Sequence, residues 1–148
     1  MIAKKLKALF ETPVRESEGD LQHRLNLAAA ALLIETARAD FTQDMEEQKT
    51  LEELLISSLS LGPQEVSDLV AQASDRVDEA VSLYDFTRVI NDHYSAQKKL
   101  KLIDAMWTVA YADGDLDKYE EHLIRKVAEL TYVPHQDYIQ SKLSAANA

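Results

Sequence analysis

Cysteine is missing from the 148-residue chain, so disulfides, thiolate metal sites and catalysis by a cysteine are excluded outright. The same absence fits a reducing compartment. Glycine and proline are scarce, three of each, and all lie near proposed breaks between apolar periodic segments. So few punctuating residues leave long stretches free to form helices, and no segment reads as a strand. Positive charge is also in short supply: 16 basic against 26 acidic residues leave a net charge of minus 10. The resulting field repels phosphate backbones, which sets nucleic acid aside and favours cations and basic protein surfaces as partners. The longest wholly apolar run, Leu27 to Ile34, is far shorter than the roughly 20 residues of a membrane-spanning helix. Met1 to Glu11 has lysines but neither a continuous apolar core nor a small-residue cleavage site, so it does not read as a signal peptide. A soluble, cytoplasmic protein is expected. P-loop, H-E-x-x-H and G-x-S-x-G sequences are absent as well.

What is present is a repeat. Ala37-Arg38-Ala39-Asp40-Phe41-Thr42-Gln43-Asp44-Met45-Glu46-Glu47 and Ala110-Tyr111-Ala112-Asp113-Gly114-Asp115-Leu116-Asp117-Lys118-Tyr119-Glu120 share the skeleton A-x-A-D-x-x-x-D-x-x-E. Asp40 and Asp113, Asp44 and Asp117, and Glu47 and Glu120 are each 73 positions apart. The apolar pairs Leu27 with Leu100, Leu33 with Met106 and Leu51 with Ile124 keep the same step, which favours duplication of a helix-loop-helix unit over coincidence.

Around the two copies the periodicity predicts a single-domain, all-α bundle of seven or eight helices. A chain of this length is large enough to bury about two-thirds of its unfolded surface. Residues 1–16 are expected to form an N-terminal amphipathic helix, with Ile2, Leu6, Leu9 and Phe10 on one side, followed by a linker. Residues 17–148 form the helical domain. Its first helix runs from Asp20 to about Ala39, with Leu21, Leu25, Ala28, Leu32 and Leu33 facing inward in an alanine-rich stretch that lets neighbours approach closely. A second helix carries Leu51, Leu54, Leu55, Leu59 and Leu61 to Gly62-Pro63, which closes it and opens a third with Val66, Leu69, Val70, Ala73 and Val77 inside. Ser82 with Asp85 reads as a capping pair for a fourth, and Ser95 as the cap of a fifth that turns Leu100, Ile103, Trp107 and Ala110 inward. Leu123, Ile124, Val127, Ala128 and Leu130 follow the second acidic loop as its partner helix, and after Pro134 the positions of Tyr138, Ile139 and Leu143 suggest a final helix.

Three stretches resemble a known family: Asp85-Phe86-Thr87-Arg88-Val89-Ile90-Asn91; Trp107 through Lys126, including the second acidic loop; and Tyr132-Val133-Pro134-His135. Together they are similar to the TerB-like family, helical domains related to bacterial tellurite-resistance protein B, over roughly Leu25 to Leu143. The resemblance implies an all-helical fold with a duplicated core in the bacterial cytoplasm, a link to tellurite and other stress responses, and metal binding through acidic loop residues without a defined enzymatic activity. The family domain also occurs fused to J-domains, but this chain has no His-Pro-Asp tripeptide. Phe41 stands in the first copy where Gly114 stands in the second, so the two loops need not contribute equally.

The acidic residues admit two readings. Asp44 with Glu47 and Asp117 with Glu120 fit the capping-box spacing, which by itself accounts for their presence. Asp40 and Asp113 lie near helix C-termini, where a negative charge meets the unfavourable end of the dipole. An Asx-turn is one way to offset that. The other is a cation held by Asp40, Asp44, Glu47, Asp113, Asp117 and Glu120, whose oxygen-only chemistry selects calcium, magnesium or manganese. The loop is no EF-hand, since Lys118 replaces its glycine and Ile124 its bidentate glutamate. A dinuclear carboxylate enzyme would need paired Glu-x-x-His motifs, which are lacking. The expected function is therefore non-enzymatic: cation binding coupled to a protein partner, or a metal-independent interaction domain whose acidic residues only cap helices. His23, His93, His122 and His135 are expected at the surface, and Trp107 and the six tyrosines in core or groove positions, any exposed one being a candidate for partner contact.

Overall fold

The computed structural model describes residues 17–38, 45–79, 82–112 and 116–147, with the side chains of residues 45–48 and 79 left aside. The expected N-terminal helix lies outside the described residues. Within them the chain forms seven helices and no strand: α1 (Glu18–Arg38), α2 (Met45–Leu59), α3 (Pro63–Glu79), α4 (Tyr84–His93), α5 (Ala96–Ala110), α6 (Lys118–Leu130) and α7 (His135–Ala146). None of these is long and apolar enough to cross a membrane.

Helix α1 is the axis of the bundle. Ala28 through Ile34 are buried without interruption, so this stretch has no solvent face, as a helix enclosed on all sides requires. It packs against α2, α3, α4, α5 and α6, while α7 lies outside on α5 and α6. Polar groups flanking the apolar stretch are satisfied locally: Gln22 Nε2 donates to Asn26 Oδ1 at 2.8 Å, and the Thr36 hydroxyl donates to the Leu32 carbonyl at 2.8 Å. Two side-chain contacts tie α1 to α3, His23 with Gln72 at 3.1 Å and the Arg38–Asp78 ion pair at 2.8 Å.

Helix ends follow local chemistry. Ser60, at φ 56°, ends α2 in the left-handed region, and Pro63 opens α3 as expected, needing no amide donor there. Val66, Leu69 and Ala73 form the buried stripe of α3. Ser95 caps α5 by accepting from the Lys98 amide at 3.2 Å. The expected cap pair of α4 is not formed. Leu83 occupies the N-cap position with no side-chain cap, because its half-buried apolar chain packs on the core and the helix starts one residue later than Ser82 requires. At the end of α6 the Tyr132 amide bonds Glu129 and the Val133 amide bonds Ala128, a Schellman arrangement with Tyr132 at φ 61° where glycine is usual. Tyr132 is 79% exposed, with the Lys99 ammonium 5.9 Å from its ring centre.

The last helix forms where its apolar spacing suggests, with Tyr138 and Ser141 buried and Ile139 and Leu143 at 38% and 52% exposure. Ser141 donates to Asp104 on α5, a polar contact across the helix interface that apolar spacing does not register. Leu100, expected to face inward, is only half-buried. Of the six tyrosines expected in core or groove positions, Tyr84, Tyr119 and Tyr132 are instead exposed, each lying at or beside a helix end. The four histidines are exposed, and Trp107 is wholly buried, as expected. Its ring centre lies 6.0 Å from that of Tyr111 and 5.5 Å from that of Tyr138, joining α5 to α7.

Trp107→Ala is expected to destabilise the fold by about 3–5 kcal/mol, and Trp107→Phe by much less, read from urea midpoints. The indole N–H has no hydrogen-bond partner among the described residues, so a phenyl ring forfeits little but volume. Equal losses in the two variants would contradict this packing role.

Glu35 supplies a pH signature. Burial pushes its carboxyl above the ordinary glutamate range, Arg38 partly opposes this, and Asp78 adds to it. A carboxyl that holds its proton more tightly in the native state loses stability as pH rises through that raised value. Glu35→Gln should therefore raise the melting temperature at neutral pH and leave it nearly unchanged below the ordinary glutamate range, where both side chains are neutral. A lower melting temperature at neutral pH would refute the assignment.

Candidate cation-binding loops

Of the six carboxylates in the repeated pattern, Asp40, Asp44 and Asp113 lie outside the described residues, as does the side chain of Glu47, although α2 includes its backbone. The convergence of the two loops expected from the repeat therefore lies outside the described residues. Asp117 and Glu120 are described, and they differ sharply in environment.

Asp117 is the N-cap of α6. Its backbone is extended, at φ −83° and ψ 141°, and its Oδ1 accepts from the Tyr119 amide at 2.7 Å. The cap is real, but its hydrogen bond goes to the second helical residue rather than to the third that a capping box specifies. Glu120, at that third position, is 0% exposed. It lies in the inward stripe with Ile124, Val127 and Ala128, because three- and four-residue spacing puts all of them on the face that α6 turns to its neighbours. A carboxylate withdrawn from water is costly unless compensated, and the amino end of α6 supplies part of that compensation through the helix dipole.

The next residue faces the other way. Glu121 accepts from Lys142 on α7 at 2.6 Å, and the Lys142 ammonium lies 5.9 Å from the centre of the Trp107 ring. The Glu121 hydrogen bond draws Lys142 above the usual lysine range. Burial raises Tyr138 beside it, and the Glu121 charge adds to the effect. The entrance to α6 is thus braced by a cluster of Trp107, Tyr111, Tyr138, Glu121 and Lys142. Sequence reasoning placed Trp107 in the core but missed the cluster. No linear signal marks it, because Glu121 and Lys142 lie on separate helices that meet only in the fold.

Among the described residues, no group of three or more histidine, cysteine or acidic side chains is arranged to hold a metal. That statement reaches only two of the six expected ligands, Asp117 and Glu120. Replacing Asp117 by alanine should cost about 0.5–2 kcal/mol of stability, while serine, which also accepts at an N-cap, should recover most of it in a thermal melt. Alanine and serine variants that melt alike would show that the Asp117 bond contributes nothing.

Comparison with known families bears on the same segment. The family model described as Tellurite resistance protein TerB matches residues 26–143, which spans both acidic loops and most of the described helices. Comparison with curated proteins and with solved structures gave no match. The extent of the family match agrees with the resemblance carried by the three stretches quoted above, and the all-helical architecture agrees with it. The chain belongs to the TerB family of tellurite resistance proteins.

Proposed function

We propose that this TerB-family chain is a non-enzymatic helical module that binds a divalent cation through its duplicated acidic loops and acts on a protein partner. The setting proposed is the stress response of a bacterial cytoplasm. The observation that supports it most is the complete burial of Glu120, one member of the repeated carboxylate pattern, at the entrance to α6. Helix capping asks for an exposed or half-exposed carboxylate near the amide ends and does not require one sealed inside the stripe. A hard cation with oxygen ligands compensates a buried carboxylate well, and calcium, magnesium and manganese suit the donor set of Asp40, Asp44, Glu47, Asp113, Asp117 and Glu120.

A second reading has its own support. The Asp117 bond to the Tyr119 amide is a capping bond, so the acidic residues of α6 can serve stability alone, in a metal-independent interaction domain. The two readings separate in a melting experiment. A cation bound only by the native state at about a hundred times its Kd adds about 2.7 kcal/mol of stability. Millimolar calcium, magnesium or manganese is expected to raise the melting temperature, and Asp40→Asn combined with Asp113→Asn should abolish the rise. Unchanged melting with all three cations would favour the capping reading.

A further inference from the structure

Helices α1, α2 and α5 leave between them a half-open cleft of about 480 Å³. That volume is in the range of small-molecule sites, about 300–1,000 Å³. Leu33, Leu55, Leu59 and Leu102 give it an apolar lining, Gln22, Ser57 and Ser58 add neutral polar groups, and Tyr94, Lys98 and Lys101 supply the phenol and the charges. The charge pattern is opposite to that of the chain as a whole. With 26 acidic residues in the sequence, none of the described residues lining this cleft is acidic and two are lysines.

The lysines also stand at an unfavourable place. Lys98 lies in the first turn of α5, which carries no acidic residue, so its ammonium group opposes the positive end of the helix dipole, and Lys101 follows one turn later. Lys101 forms no ion pair among the described residues, and Lys98 engages only the face of Tyr94, at 5.7 Å. The Tyr94 phenol is protonated at neutral pH, and burial raises it further above its ordinary range. Exposed lysines with no ion-pair partner among the described residues, at the rim of a partly apolar cleft, suit an anion with an apolar body.

From this arrangement we propose that the cleft is a binding site for a medium-chain carboxylate, its alkyl chain against Leu33, Leu55, Leu59 and Leu102 and its head on Lys98 and Lys101. The Tyr94 hydroxyl donates to the same head. The free carboxylate is the form proposed, because the cleft is recessed between three helices whereas a bilayer presents a flat surface.

Decanoate below its micellar concentration, titrated into the full chain, should displace bound anilinonaphthalene sulfonate. Lys98→Gln combined with Lys101→Gln should weaken decanoate by about tenfold or more, since a lost charge-assisted contact of ordinary strength has that effect. Decanol, with the same chain and no charge, should also bind about tenfold more weakly than decanoate. Ala105→Trp, which fills the cleft from α5, should abolish displacement. Both lysines are exposed and Lys98 opposes the helix dipole, so the glutamine variant should melt at or slightly above the parent temperature even if the tryptophan variant does not fold. The proposal is overturned by absence of decanoate binding, by equal affinities for decanoate and decanol, or by an unweakened lysine variant. Sedimentation with phosphatidylglycerol vesicles without any binding of free decanoate would overturn it in favour of a membrane surface.

Discussion

The close packing of α1 is the constraint on which the rest of the bundle depends. Its run from Ala28 to Ile34 is buried on every side, and four consecutive alanines at its start allow neighbouring helix backbones to come near. Large residues resume at Leu32, Leu33 and Ile34, where each buried side chain contributes about 1.5–3 kcal/mol of transfer free energy. An element without a solvent face must be enclosed, so the other helices are arranged around it rather than in a simple row. The duplicated units share this axis: α1 belongs to the first, and α5, which leads into the second, packs directly on it.

Electrostatics then distinguishes two regions of the surface. At the entrance to α6, carboxylates meet the positive end of a helix dipole, with one of them, Glu120, drawn fully inside and the next, Glu121, paired to Lys142. At the entrance to α5 the sign reverses, and lysines crowd a dipole end that favours anions. A strongly acidic chain thus presents a compact positive locus beside an apolar cleft. The two regions draw on the same physics with opposite charge.

Much of the architecture was legible because helical spacing is a local property. The boundaries of α1, the Pro63 start of α3, the Ser95 cap and the burial of Trp107, Ile124 and Val127 all follow from residues within a turn or two of each other. Reading failed where a distant contact outweighed the local pattern. Ser141 has no apolar signal, yet it lies buried in α7 and meets Asp104 across the helix interface, while Tyr84, Tyr119 and Tyr132, expected in core or groove positions, are exposed. Ser82 has the chemistry of a cap, yet the packing of Leu83 takes its place. The left-handed Tyr132 carries no sequence signal, since glycine or asparagine is the usual residue there.

By itself the sequence determined the all-helical class, the internal repeat, the family and the set of acidic residues worth testing, because periodicity, spacing and charge are written along the chain. Tertiary structure alone decided that Glu120 is sealed in the interior while Asp117 caps, and that Tyr94, Lys98 and Lys101 border an apolar cleft built from three helices. Burial and enclosure depend on which surfaces meet after the chain folds back on itself, and no spacing within one helix specifies what lies across from it.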